Sequence, residues 1–79
     1  MIEVLFFARL AELTGVRQTS WPLAQARPAS QVVDALKQRY PALAEVKNLR
    51  LAINQTHAPL TSSVAPGDEL ALFEPVTGG

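Results

Sequence analysis

The chain has 79 residues, balances seven basic against seven acidic side chains, is 48% hydrophobic and 18% charged, and contains no cysteine. That length supports one domain with a modest core and leaves no room for a large internal active site, while the apolar content excludes a disordered chain. The basic residues Arg9, Arg17, Arg27, Lys37, Arg39, Lys47 and Arg50 are dispersed, so no stripe for nucleic acid forms, and the apolar stretches are too short and interrupted to span a membrane. Without cysteine there are no disulfides, thiolate metal ligands or thiol nucleophile, which suits a reducing compartment and sets a cytoplasmic location as the expectation. The amino end carries Glu3 near its start and lacks a basic segment and a small-residue cleavage site, so it is not expected to be a signal peptide.

Ile2 to Ala8, rich in β-branched and aromatic residues, predicts a first strand. Arg9 to Thr14 follows as a short helical turn, closed by Gly15 at a position suited to the left-handed conformation. A second strand is expected over Gln18 to Leu23. Val32, Val33, Leu36 and Tyr40 recur at helical spacing and predict the one long helix, with Ser30 as its N-cap, Lys37 and Arg39 in its last turn, and Pro41 as its stop. A third strand is expected from Leu49 to Ile53, a short edge strand from Ala58 to Thr61, and a last strand from Glu69 to Phe73 after the Pro66-Gly67-Asp68 turn. No linker or repeat divides the chain, so the expected organisation is one domain over residues 1–73 and a flexible tail over 74–79.

Alternation along the first strand places Ile2, Val4 and Phe6 on one face and Leu5 and Phe7 on the other. In the last strand Leu70 and Leu72 oppose Ala71 and Phe73. Both faces are apolar, yet one helix covers only one side of a sheet. The second side is therefore expected to expose Phe7 and Phe73 as a partner surface, unless loops or the turn after Ala8 cover them. Beside that surface the chain reads Pro75-Val76-Thr77-Gly78-Gly79. Lacking Cβ atoms, the two glycines either form a thin rod that threads a narrow channel and presents a terminal carboxylate, or are a frayed end without function. Six extended residues from Glu74 to Gly79 reach about 20 Å.

The segments Val4 to Gly15, Leu51-Ala52-Ile53-Asn54-Gln55, Pro66 to Leu70 and Phe73 to Gly79, taken together and in this order, resemble the small subunit of molybdopterin synthase, the MoaD family. The resemblance implies an α+β, ubiquitin-like β-grasp fold, a mixed sheet of four or five strands with one main helix. It also implies a sulfur carrier. The carboxylate of Gly79 would be adenylated by an E1-like activating enzyme that consumes ATP, then converted to a thiocarboxylate. The loaded carrier would insert its tail, Pro75, Val76, Thr77 and Gly78 included, into the large synthase subunit of a heterotetramer, where the sulfur forms the dithiolene of molybdopterin. The carrier itself would bind no cofactor and no metal, and the active site would lie on the large subunit. Phe7, Phe73, Leu5, Ala71 and His57 would form the partner interface.

His57 stands where the family is expected to carry an apolar residue, and without a partner for catalysis it reads as a loop histidine or a rim contact. Asn54-Gln55-Thr56 matches a glycosylation triplet only in letters. Asp68, Glu69 and Glu12 are scattered turn acids, and Trp21 and Tyr40 read as core or half-buried edges. A thiamin-type sulfur carrier shares the Gly-Gly end, although the Phe6-Phe7-Ala8-Arg9 start and Pro75-Val76-Thr77 argue against it. A ubiquitin-like modifier joined to lysines and an inert β-grasp interaction module remain the alternatives from other classes.

Overall fold

The computed structural model describes residues 1–75. Strand β1 (Ile2–Phe6) alternates as its sequence requires, with Ile2, Val4 and Phe6 buried and Glu3 exposed. The chain then turns at Ala8 (φ 50°, ψ −123°), where a Cβ is crowded, and Leu10 N–H donates to the Phe7 carbonyl at 3.0 Å. Helix α1 (Arg9–Thr14) ends on Gly15 at φ 80°, as expected, because this left-handed cap brings its N–H onto the Ala11 carbonyl. Strand β2 (Gln18–Trp21) runs back antiparallel to β1.

A short strand β3 (Arg27–Pro28) leads into the long helix α2 (Ala29–Arg39), which turns Ala29, Val32, Val33 and Leu36 to the core. Ser30 lies inside this helix and does not cap it. The first helical N–H groups, those of Ala29 and Ser30, donate instead to the carbonyls of Ser62 and Leu60 at 2.7 and 2.9 Å, so a neighbouring loop does the work of the side chain. Pro41 ends α2 as expected and opens a 3₁₀ turn (Pro41–Glu45) that buries Leu43.

Strand β4 (Arg50–Ile53) returns through Asn54 and Gln55, both at positive φ (51° and 70°), into β5 (Thr56–Ala58). This two-residue hairpin turn puts the edge strand at 56–58 and not at the predicted 58–61. Strand β6 (Ser63–Val64) pairs with β3 in a small second sheet, and β7 (Glu69–Phe73) closes the fold with its predicted bounds. Elsewhere the predicted strands overreach: β1 stops before Phe7 and Ala8, β2 before Pro22 and Leu23, and β4 starts after Leu49.

The main sheet has the order β2-β1-β7-β4-β5, with β1 and β7 parallel and every other pair antiparallel. One helix, α2, lies across it. This is the mixed ubiquitin-like β-grasp architecture that the resemblance implies. Phe6 packs edge-on against Tyr40 (ring centroids 5.5 Å apart, 74° between planes) in a core shared with Val4, Leu36, Leu51, Leu70 and Leu72. Trp21 and Tyr40 are partly buried against that core, as edge positions.

Candidate functional site: the open sheet face and the root of the tail

The sheet registers align Leu5 with Ala71, Ala71 with Ala52, and Ala52 with His57, so one row crosses β1, β7, β4 and β5 on the side away from α2. Continuing the parallel register sets Phe7 beside Phe73, and Phe7 N–H donates to the Leu72 carbonyl at 3.2 Å. Phe73 in turn lies opposite Arg50. Ala52 and Ala71 retain only 7% and 6% of their exposure although they lie outside the core cluster. They form a low floor between Leu5, Phe73 and His57. Phe7 keeps 50% of its surface in water, whereas Phe73, also expected to be exposed, is half-buried, with the His57 ring against it.

His57 lies on strand β5, which corrects the loop reading, and its ring leans on Phe73 with centroids 5.1 Å apart and planes tilted by 50°. The imidazole is exposed, as a rim contact should be. At the far end of the same face the Glu3 carboxylate accepts hydrogen bonds from Gln18 Nε2 (2.8 Å) and Ser20 Oγ (2.9 Å), which hold its pKa below the usual carboxylate value. The apolar patch is thus bounded by a polar row at one end and by Phe7 and Phe73 at the other. The chain leaves the sheet at the apolar end.

There Arg9, the first residue of α1, grips Glu74. Its Nε donates to Oε1 at 3.0 Å and its Nη2 to Oε2 at 2.6 Å. These hydrogen bonds lower the pKa of the Glu74 carboxyl and raise that of Arg9. A second polar brace lies at the opposite end of β7. Asn54 donates to Asp68 Oδ1 (3.0 Å) and accepts from Glu69 N–H (2.9 Å), while Asp68 Oδ2 accepts from Ala65 N–H (2.8 Å). The Ala65 N–H, then the Asn54 amide, hold the Asp68 carboxyl below its usual value. Asp68 therefore fixes two turns together.

The structure gathers Leu5, Phe7, Ala71, Phe73 and His57 on one face and places the half-buried Pro75 immediately beyond Glu74. Val76, Thr77, Gly78 and Gly79 lie outside the described residues. Three participants escaped the sequence reading: Ala52, Arg9 and Glu74. Alternation with buried Leu51 marks Ala52, but nothing local links Arg9 to a residue at the other end of the chain.

Comparison with known proteins agrees with this fold. Residues 4–79 match the ThiS family. The chain is 42% identical to the molybdopterin synthase sulfur carrier subunit of Haemophilus influenzae, with 100% of each covered. It is 38% identical to the molybdopterin synthase sulfur carrier subunit of Homo sapiens, over 99% of this chain and 93% of that one. The crystal structure of small archaeal modifier protein 1 from Haloferax volcanii superposes with a TM-score of 0.84 at 33% identity, covering 99% and 98% of the two chains. By fold, by matched length and by relatives, this chain belongs to the ThiS family.

Proposed function

We propose that the chain is the sulfur carrier subunit of molybdopterin synthase and acts in molybdenum cofactor biosynthesis in the cytoplasm. The observation that carries this reading is end-to-end similarity to carriers of that name. The apolar face at the root of the tail supports it. Gly79 is the acceptor. An E1-like enzyme joins its carboxylate to AMP at the expense of ATP, releasing pyrophosphate, because oxide is too poor a leaving group for direct displacement. A sulfur nucleophile then expels AMP and leaves a thiocarboxylate.

The loaded carrier docks through Leu5, Phe7, Ala71, Phe73 and His57 on the large subunit of a heterotetramer, and Pro75 to Gly78 lead the sulfur into that subunit's active site. This chain supplies no acid or base to the transfer. Its work is to bind, to orient and to deliver. Incubation with the activating enzyme, ATP and a sulfur source, followed by intact-mass analysis, tests the reading: one oxygen is replaced by sulfur on the full chain and not on a chain lacking Gly79. Loading of the shortened chain overturns the assignment of Gly79.

A second reading, attachment to lysine side chains, is favoured by the 33% identity to a protein named a modifier. The same acyl-adenylate serves both chemistries. Isopeptide-linked conjugates formed by this chain, in the absence of transfer to the large subunit, would select it.

A further inference from the structure

We propose that the Arg9–Glu74 ion pair is a positioning device that fixes the direction in which the tail leaves the folded body. The proposal rests on the sulfur-carrier reading. Phe73, opposite Arg50, is the last residue that the sheet pairs. Beyond it, the two described residues Glu74 and Pro75 carry the chain toward residues 76–79. Among the described residues, the side chain of Glu74 is tied to the body by Arg9, through two parallel hydrogen bonds of 3.0 and 2.6 Å. Two bonds between planar groups fix orientation as well as distance, which a single lysine contact would not.

Arg9 is itself well anchored. It stands at the first position of α1, and the turn that precedes it is held by Leu10 N–H on the Phe7 carbonyl and by Phe7 N–H on the Leu72 carbonyl. The guanidinium therefore acts from a rigid base beside the docking phenylalanine. On the other side, Pro75 confines Glu74 to extended conformations and its own φ to a narrow range. Together, the ion pair and the proline leave the chain from Phe73 to Pro75 one direction of exit.

Stability does not account for the pair. Both side chains are substantially in water (54% and 31% exposed), and exposed ion pairs add little to folding. The elements it joins are already held by the β1–β7 ladder. What the pair does fix is the order of Glu74, and that order would otherwise have to be imposed when the tail enters a partner. Ordering one further residue costs about tenfold in affinity.

The test uses Glu74→Gln, Arg9→Gln and the double reversal Arg9→Glu with Glu74→Arg, each as the full chain and as a chain lacking residues 76–79. Calorimetric titration against the large synthase subunit should show Kd rising about tenfold for each single variant of the full chain, recovering in the double reversal, and staying at the parent value in the shortened set. Melting temperatures should stay close to the parent's. In the free protein, the order parameter of the Glu74 amide should fall from about 0.85 to below about 0.6 in the single variants. An unchanged order parameter overturns the proposal, and so does an equal loss of affinity in the shortened chains, which would make Arg9 or Glu74 a direct partner contact. Failure of the parent chain to bind the large subunit, with the order parameters behaving as stated, would instead overturn the sulfur-carrier reading.

Discussion

Phe6 and Phe7 are chemically identical neighbours on opposite faces of one sheet, and truncating each should break a different property. Phe6 is 3% exposed and meets Tyr40 edge-on at 5.5 Å. Removing a buried phenyl ring costs about 3 to 5 kcal/mol, since the transfer free energy is lost and a cavity remains. Against a total of about 5 to 15 kcal/mol this is a large share. At about 4 to 8 °C per kcal/mol for a domain of this size, Phe6→Ala should lower the melting temperature by about 12 °C or more. Phe7, half in water, can lose only part of the roughly 1.5 to 3 kcal/mol available to a fully buried phenyl group, so Phe7→Ala should cost about 1 kcal/mol in the free domain. Docking reverses the ranking. A central aromatic anchor contributes about 2 kcal/mol or more to an interface, or about thirtyfold in Kd. Thermal melts followed by circular dichroism, together with calorimetric titration of the large synthase subunit, measure both quantities. A Phe7→Ala protein that melts as badly as Phe6→Ala, or that binds as tightly as the parent, refutes the assignment of faces.

Ala8→Gly should stabilise the domain by about 1 kcal/mol, because relief of about 1 to 3 kcal/mol of strain at φ 50° exceeds the added flexibility of the unfolded chain; a lower melting temperature would contradict the strain. Asp68 has a folded pKa below its ordinary value, so its contribution is present above about pH 4 and disappears as pH falls through the lower folded value. Melting temperature should therefore drop with acidification, and Asp68→Asn, less stable at neutral pH, should show a shallower drop. His57→Ala removes the ring leaning on Phe73 and should weaken docking by about 1 kcal/mol with little effect on folding; an unchanged Kd would place His57 outside the interface. Gly78→Val should leave the melt unchanged and block turnover of chemically thiocarboxylated carrier by the large subunit. Normal turnover would show that the channel accepts a side chain at this position.

What the sequence made legible was whatever a few neighbouring residues decide among themselves. Alternation in Ile2–Phe6 and Glu69–Phe73 assigned every side chain of the two central strands to its face, because a strand has no other way to place them. Gly15 marked its cap for the same local reason. Ser30 misled because its competitors, the carbonyls of Leu60 and Ser62, arrive from a distant loop. The edge strand was displaced because Asn54 and Gln55 both adopt positive φ without a glycine to announce it. The open apolar face followed from counting apolar sides against available helices, whereas the grip of Arg9 on Glu74 depends on folding and leaves no trace in either neighbourhood.

The parallel pairing of β1 with β7 also has a mechanical side. Glu69–Phe73 is an inner strand, bonded to β1 on one flank and to β4 on the other, and the tail continues directly from its end. Ladder hydrogen bonds lie across the strand direction. A pull on the tail along β7 therefore loads both ladders in shear, many bonds at once, whereas a strand pulled crosswise from a sheet edge would unzip bond by bond. Under the proposed function, withdrawing the tail from a partner pocket is a tensile event of this kind, and the strand order would let the domain serve as its own anchor.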